Sequence, residues 1–292
     1  MNVEERLRQK KEAVERDLER LLSQEDSLMF RAMRYAVLSG GKRFRPLLSL
    51  SSGEYFGASR DVLLPFACAL ELIHNYSLVH DDLPLMDDDD FRRGQPSCHK
   101  AFGEDIALLA GDGLLTLAFE VIAQAPVGDS LLPRKEQVLK EISRQAGVKG
   151  MIGGQLMDIS LPREELTEDT IHELMLKKTG GLITASVKTG AILGGADGPE
   201  LEAVVEYGRN VGLAFQVRDD ILDSSLEGQD ERLFRPNYVS LFGLEASKKR
   251  LKDFVETARN TLDEASIKSE ELHWLASKLL ELKEKKENES AA

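Results

Sequence analysis

Two groups of carboxylates dominate the residues whose types and spacing can do chemistry. His80-Asp81-Asp82-Leu83-Pro84-Leu85-Met86-Asp87-Asp88-Asp89-Asp90 puts six carboxylates into ten positions, directly after the apolar stretch Phe66 to Val79. Two like charges ~4 Å apart repel by about 4 kcal/mol at an effective dielectric of about 20, so a converging cluster takes up protons or binds a divalent cation. Oxygen donors of this kind suit Mg²⁺, which takes one or two carboxylates together with waters and substrate phosphates. An acidic loop splayed into water is the competing reading. The second group, Gln216-Val217-Arg218-Asp219-Asp220-Ile221-Leu222-Asp223, lies in an apolar helical stretch with Asp219 and Asp223 one turn apart on one face. Alone it reads equally as a salt-bridge set. Together, two such sets at the ends of apolar helices can hold several cations between them. An EF-hand fits poorly, because Phe91 and Arg92 stand where a further oxygen ligand and a glycine are needed.

Two compact basic segments accompany the acids: Gly40-Gly41-Lys42-Arg43-Phe44-Arg45-Pro46 and Phe91-Arg92-Arg93-Gly94. The glycine pair lets backbone come close to a ligand, and Lys and Arg supply donors matched to phosphate oxygens. A helix C-cap with basic residues complementing the helix dipole is the alternative for Gly-Gly-Lys-Arg. A P-loop is excluded, since Gly-x-x-x-x-Gly-Lys-Ser/Thr is absent. Acidic and basic segments on one chain suggest two anionic ligands, one held directly by Lys and Arg and one through metal.

The elements that must position these residues read as helices. Val3, Leu7, Val14, Leu18, Leu21 and Leu22 make one stripe, and Leu251, Phe254, Val255, Ala258 and Leu262 another, with no comparable run of period-2 alternation. Breaks are expected at Gly40-Gly41, at Gly57, around Pro126 to Pro133, at Gly180-Gly181 and from Gly194 to Pro199, which leaves ten or so helices. The 292 residues, 42% apolar, carry no linker, repeat or low-complexity block before the charged end at Glu281 to Ala292, so one all-α domain over 1–292 is expected. Ile106 to Val127 is interrupted by Asp112 and Glu120 and reads as a buried helix, not a membrane span. The net charge of −13 speaks against nucleic acid as a partner. Two cysteines and an acidic N-terminus without an apolar stretch point to a cytoplasmic address.

With these residues in view, the chain resembles the trans-polyprenyl diphosphate synthases, most closely those of the bacterial farnesyl diphosphate synthase type. The resemblance runs from about Gly40 to Asp223. Beyond the segments above it rests on Phe102-Gly103-Glu104, Leu109-Ala110-Gly111-Asp112, Gly153-Gly154-Gln155 with Asp158, Lys178-Thr179-Gly180 and Phe215-Gln216. It implies an isoprenoid-synthase-type helical bundle around a central cavity, a homodimer, and Mg²⁺ as cofactor, three ions with substrate bound. Asp81, Asp82, Asp87 and Asp219, supported by Asp220 and Asp223, would hold the metal that clamps an allylic diphosphate, dimethylallyl or geranyl. Arg92 and Lys178 would stabilise the departing diphosphate. Lys42, Arg45, His74 and Arg93 match the residues that bind isopentenyl diphosphate, while Thr179 and Gln216 would line the allylic side.

Tyr76 stands five positions before Asp81, where the family places the floor that stops chain growth, so the implied product is C15 farnesyl diphosphate, passing through geranyl diphosphate. A C20 synthase is the longer alternative. Taken without the family, His74 and Tyr76 read as core residues, and Gln155 with Asp158 as a polar contact between helices outside the catalytic set. Past Asp223 the pattern departs. Gln229 stands where a lysine is expected, and Arg235-Pro236-Asn237-Tyr238 replaces the usual Lys-Ser/Thr-Thr-Tyr. A slower enzyme, a different lid, or a non-catalytic partner subunit of a heteromeric synthase follows from that change.

Overall fold

The computed structural model describes residues 1–162, 165, 167–224 and 237–282. Fourteen α-helices occupy them: α1 Val3–Leu22, α2 Leu28–Leu38, α3 Phe44–Tyr55, α4 Arg60–Asp81, α5 Cys98–Phe102, α6 Glu104–Gln124, α7 Leu132–Ala146, α8 Met151–Ser160, α9 Glu168–Met175, α10 Gly181–Gly194, α11 Gly198–Asp223, α12 Tyr238–Phe242, α13 Leu244–Glu264 and α14 Glu270–Ser277. The surplus over ten comes from short pieces such as α5 and α12, which span five residues each and leave no periodic trace in sequence.

Both sequence stripes face inward. Leu7, Val14, Leu18, Leu21 and Leu22 of α1 are buried, as are Leu251, Val255, Ala258 and Leu262 of α13. Asn2 starts α1 by accepting a hydrogen bond from the Glu5 amide, and Ser27 does the same for α2 from Phe30. The apolar interior has two parts. One gathers Phe66, Leu70 and Ile73 of α4 with Leu114 of α6 and Ile142 of α7; the other gathers Tyr207 and Val211 of α11 with Val255 and Leu272. Helices α3 and α10 join them, since Leu50 and Leu182 belong to the first and Leu48 and Ile183 to the second.

Two features differ from expectation. Gly180-Gly181 is not a break: the chain passes from α9 through a π turn, Leu176–Gly180, straight into α10. The glycines serve close packing instead, because a Cβ on Gly212 of α11 would fall 2.5 Å from the Gly180 Cα. A short antiparallel hairpin, β1 Phe91–Arg92 with β2 Gln95–Pro96, also escaped the periodicity, two residues per strand being too few to alternate. Helix α6 is a core helix, as its apolar sequence implies. Ala107, Ala110, Leu114, Ala118 and Ile122 are buried in the core, while Leu108 and Leu109 on another face stand exposed.

Candidate active site

Helix α4 is apolar for most of its length and ends at Asp81, so its last turn delivers carboxylates to the rim of the core. The following loop folds back at once, the Asp87 amide donating to the Asp81 carbonyl at 2.9 Å. Asp81 lines a cavity of about 480 Å³. The same cavity is lined by Asp219 and Gln216 from α11 and by Lys178 and Thr179 from the π turn, together with Arg45, His74 and Tyr76. Ser77, His80 and Gln155 add polar groups, and the rest is apolar, including Met151, Ile152, Leu156 and Ile159 of α8. Two acidic segments distant in sequence thus each bring a carboxylate, Asp81 and Asp219, to one cavity.

The electrostatics distinguish these acids from their neighbours. Burial pushes the Asp81 carboxyl up to about 6, with Lys178 opposing and Asp87 and Asp82 adding to the rise. Burial likewise raises Asp219 to about 6, opposed by Lys42 and Arg218. Two carboxylates lining one cavity are hard oxygen donors, a chemistry that fits Mg²⁺. Asp82 is engaged differently. Arg92 grips it, Nε to Oδ1 at 2.9 Å with a second contact through Nη2, and the same guanidinium reaches Asp89 at 2.7 Å. In the second set Asp220 is the engaged member, accepting from the Gln216 amide at 2.8 Å and the Tyr238 backbone amide at 2.7 Å. Asp87 is half-buried and Asp223 exposed.

The glycine-rich basic segment divides by neighbour. Arg43, in the left-handed region at φ 50°, is fully buried and spends its guanidinium on Glu15, Glu71 and the Val37 carbonyl, each at 2.7–3.1 Å. Arg45 turns to the cavity, 6.0 Å from the Phe215 ring centroid, and its buried Nε has no partner among the described residues. Burial lowers it to about 10, which an anion would reverse. Arg93 lies along the glycines, donating to the Gly40 carbonyl at 2.6 Å. Gly41 sits at φ 139°, a conformation that side chains rarely adopt, and a Cβ there would come within 3.3 Å of that guanidinium. His74 is surrounded by these cations, and burial with Arg45 and Arg93 holds it well below the usual imidazole range, hence neutral. Lys42 faces a second cavity of about 510 Å³ that shares Phe215 with the first.

Two partners, Gln155 and Asp158, fall outside the catalytic set expected from the sequence. Gln155 of α8 donates to Asp81 at 2.8 Å, and Asp158 pairs with Lys178 at 2.5 Å, so both hold site residues. Thr179 donates to Gln216 at 2.7 Å. Tyr238 returns to Asp220 through its backbone, and Asn237 caps α12 by accepting from Ser240. Gln229, Arg235 and Pro236 lie outside the described residues. Asp88, Asp90 and a ring nitrogen of His99 come within 4.8 Å of one another, but Asp90 already pairs with Lys100 at 2.7 Å. Cys68 and Cys98 are buried free thiols, as a structural role requires.

Fold and site together define a class. The polyprenyl synthetase family profile matches residues 26–268, and the chain belongs to that family. It is 40% identical over 281 residues to farnesyl diphosphate synthase of Geobacillus stearothermophilus, covering 91% of this chain and 93% of that one. Farnesyl diphosphate synthase of Escherichia coli (strain K12) is 41% identical over 246 residues, 81% and 82% of the two chains. The apo crystal structure of an FPP/GFPP synthase from Zymomonas mobilis superposes with a TM-score of 0.87 at 32% identity, covering 96% and 99%. The architecture is the all-α isoprenoid synthase fold and the protein is a prenyltransferase.

Proposed function

We propose that this prenyltransferase condenses isopentenyl diphosphate with dimethylallyl or geranyl diphosphate, making geranyl and then farnesyl diphosphate. The observation that carries the reading is the single cavity in which Asp81 and Asp219 face an apolar wall with Arg45, His74 and Lys178 beside them. An acidic and cationic mouth over an apolar interior suits an amphiphile with a diphosphate head. Asp81, Asp87 and Asp219 are the leading Mg²⁺ ligands, with Asp82, Asp220 and Asp223 completing or orienting the two sets. Bound Mg²⁺ supplies Lewis-acid neutralisation of the leaving diphosphate.

The chain's own residues do the rest. Lys178 and Arg92 add fixed positive charge where the allylic C–O bond breaks and its electron pair leaves with diphosphate. Thr179 and Gln216, bonded to each other, present oxygen dipoles to the allylic cation. Lys42, Arg45 and Arg93 bind isopentenyl diphosphate, and neutral His74 contributes a hydrogen bond rather than charge. The double bond attacks the cation, and the proton then lost passes to the released diphosphate. Tyr76, 6% exposed, closes the cavity at C15 length.

The same reading covers the chain's setting. One domain spans 1–292, and the exposed apolar face of α6 around Leu108 and Leu109 forms a homodimer contact. A cytoplasmic address accords with the two unpaired cysteines. The test is incubation with Mg²⁺, labelled isopentenyl diphosphate and either starter, with an EDTA control and product chromatography. Chelator-sensitive C15 product is expected. C20 product would retain the reaction and remove the Tyr76 assignment, and no condensation from either starter would refute the reading and favour a partner subunit.

A further inference from the structure

His80 follows Tyr76 by one helical turn and lines the same cavity, yet its ring is committed elsewhere. Its Nε2 lies 3.0 Å from the Leu108 carbonyl of α6. A carbonyl only accepts, so this bond requires the ring proton on Nε2. The Nε2 end of the imidazole also lies so close to α6 that a Cβ at Gly111 would land 2.0 Å from Nε2. On its other side the ring meets Tyr76 edge to face, centroids 5.7 Å apart at 82°. His80 is therefore wedged between the α6 backbone and the one aromatic side chain that α4 places in the cavity wall.

We infer that His80 is a positioning residue for product length, holding Tyr76 across the cavity by being itself fixed to α6 at Leu108 and Gly111. The inference rests on the prenyl diphosphate reading of this cavity. Tyr76 alone has a rotamer choice. With His80 in place, the volume into which its ring would swing is filled; without it, that volume joins the cavity and a longer chain fits. Gly111 belongs to the same device, because any side chain there would expel the imidazole.

The experiment compares wild type with H80A, H80F, H80Q and G111A in two measurements. Calorimetry with unreactive C15 and C20 thiolodiphosphates reads chain preference without turnover, and chromatography reads the C20:C15 product ratio. H80A is expected to move both ratios toward C20 by about tenfold, the scale of one edge-to-face pair with one hydrogen bond. G111A shifts them in the same direction. H80Q, whose amide can still donate to Leu108, stays nearer wild type than H80A, and H80F, a ring without the donor, does not. If H80A fails to fold, H80F carries the test.

A merely structural role predicts lower thermal stability with both ratios unchanged, and that result overturns the inference. A wild type that binds neither analogue removes the prenyl diphosphate reading, and the inference with it. A wild type that prefers C15 while every folded variant does the same leaves that reading standing and refutes only the role of His80.

Discussion

Arg43 and Arg45 sit two positions apart in one basic segment, and the structure gives them opposite surroundings whose consequences substitution will separate. Arg43 is buried against Glu71, itself 2% exposed, so Arg43→Met leaves a carboxylate in the core without its cation. Breaking such a pair costs about 3–5 kcal/mol. At roughly 2–4 °C per kcal/mol for a chain of this size, the melting temperature falls by on the order of 10 °C. Arg45→Met removes a guanidinium whose Nε is unpartnered, so melting stays close to wild type or rises. Its cost appears in the KM for isopentenyl diphosphate, about ten- to a hundredfold for charge-assisted hydrogen bonds worth about 1.5–3 kcal/mol. Scanning calorimetry and steady-state kinetics on the two purified variants check both halves. Equal destabilisation by the two substitutions, or an unchanged KM in Arg45→Met, would refute the division.

Asp81 and Asp219, raised to about 6 by burial, bind protons more tightly folded than unfolded. Their contribution to metal-free stability is therefore present at low pH and lost as pH rises through about 6, and the melting shift on adding Mg²⁺ should grow between pH 5 and 7; a shift independent of pH would contradict this. Gln155→Leu strips Asp81 of its amide donor and is expected to raise the Mg²⁺ half-saturation about 10- to 100-fold, measured by titrating activity with metal. Gly212→Ala drives a Cβ into Gly180 and should cost about 1–3 kcal/mol in denaturant unfolding, with activity falling as Lys178 and Thr179 shift. Leu109→Arg puts charge on the exposed face of α6 and should yield a monomer by light scattering.

What the sequence disclosed follows the range of each signal. Stripes such as Leu251, Val255, Ala258 and Leu262 depend on spacing within one helix and were legible directly. The acidic sets were legible as chemistry, while their sharing of one cavity was expected only from the resemblance. Contacts set by distant partners were not. Nothing near Gln155 announces Asp81, 74 positions away, and nothing near Arg43 separates it from Arg45, because Glu15 and Glu71 each lie 28 positions off. Gly180-Gly181 misled for the same reason: locally the pair reads as a helix end, and only Gly212 on another helix explains it.

The π turn at Leu176–Gly180 also limits how this chain can change length. Each helical residue turns the axis by about 100° and advances it ~1.5 Å. Removing one residue from the turn would restore a regular helix and rotate α9 relative to α10 by that angle. Lys178 would leave Asp158, or Thr179 would leave Gln216. Surface connections such as the stretch between α6 and α7 can gain or lose a residue without touching the cavity. This turn can exchange side chains but cannot be shortened, so a one-residue gap here would mark a relative whose cavity is built differently.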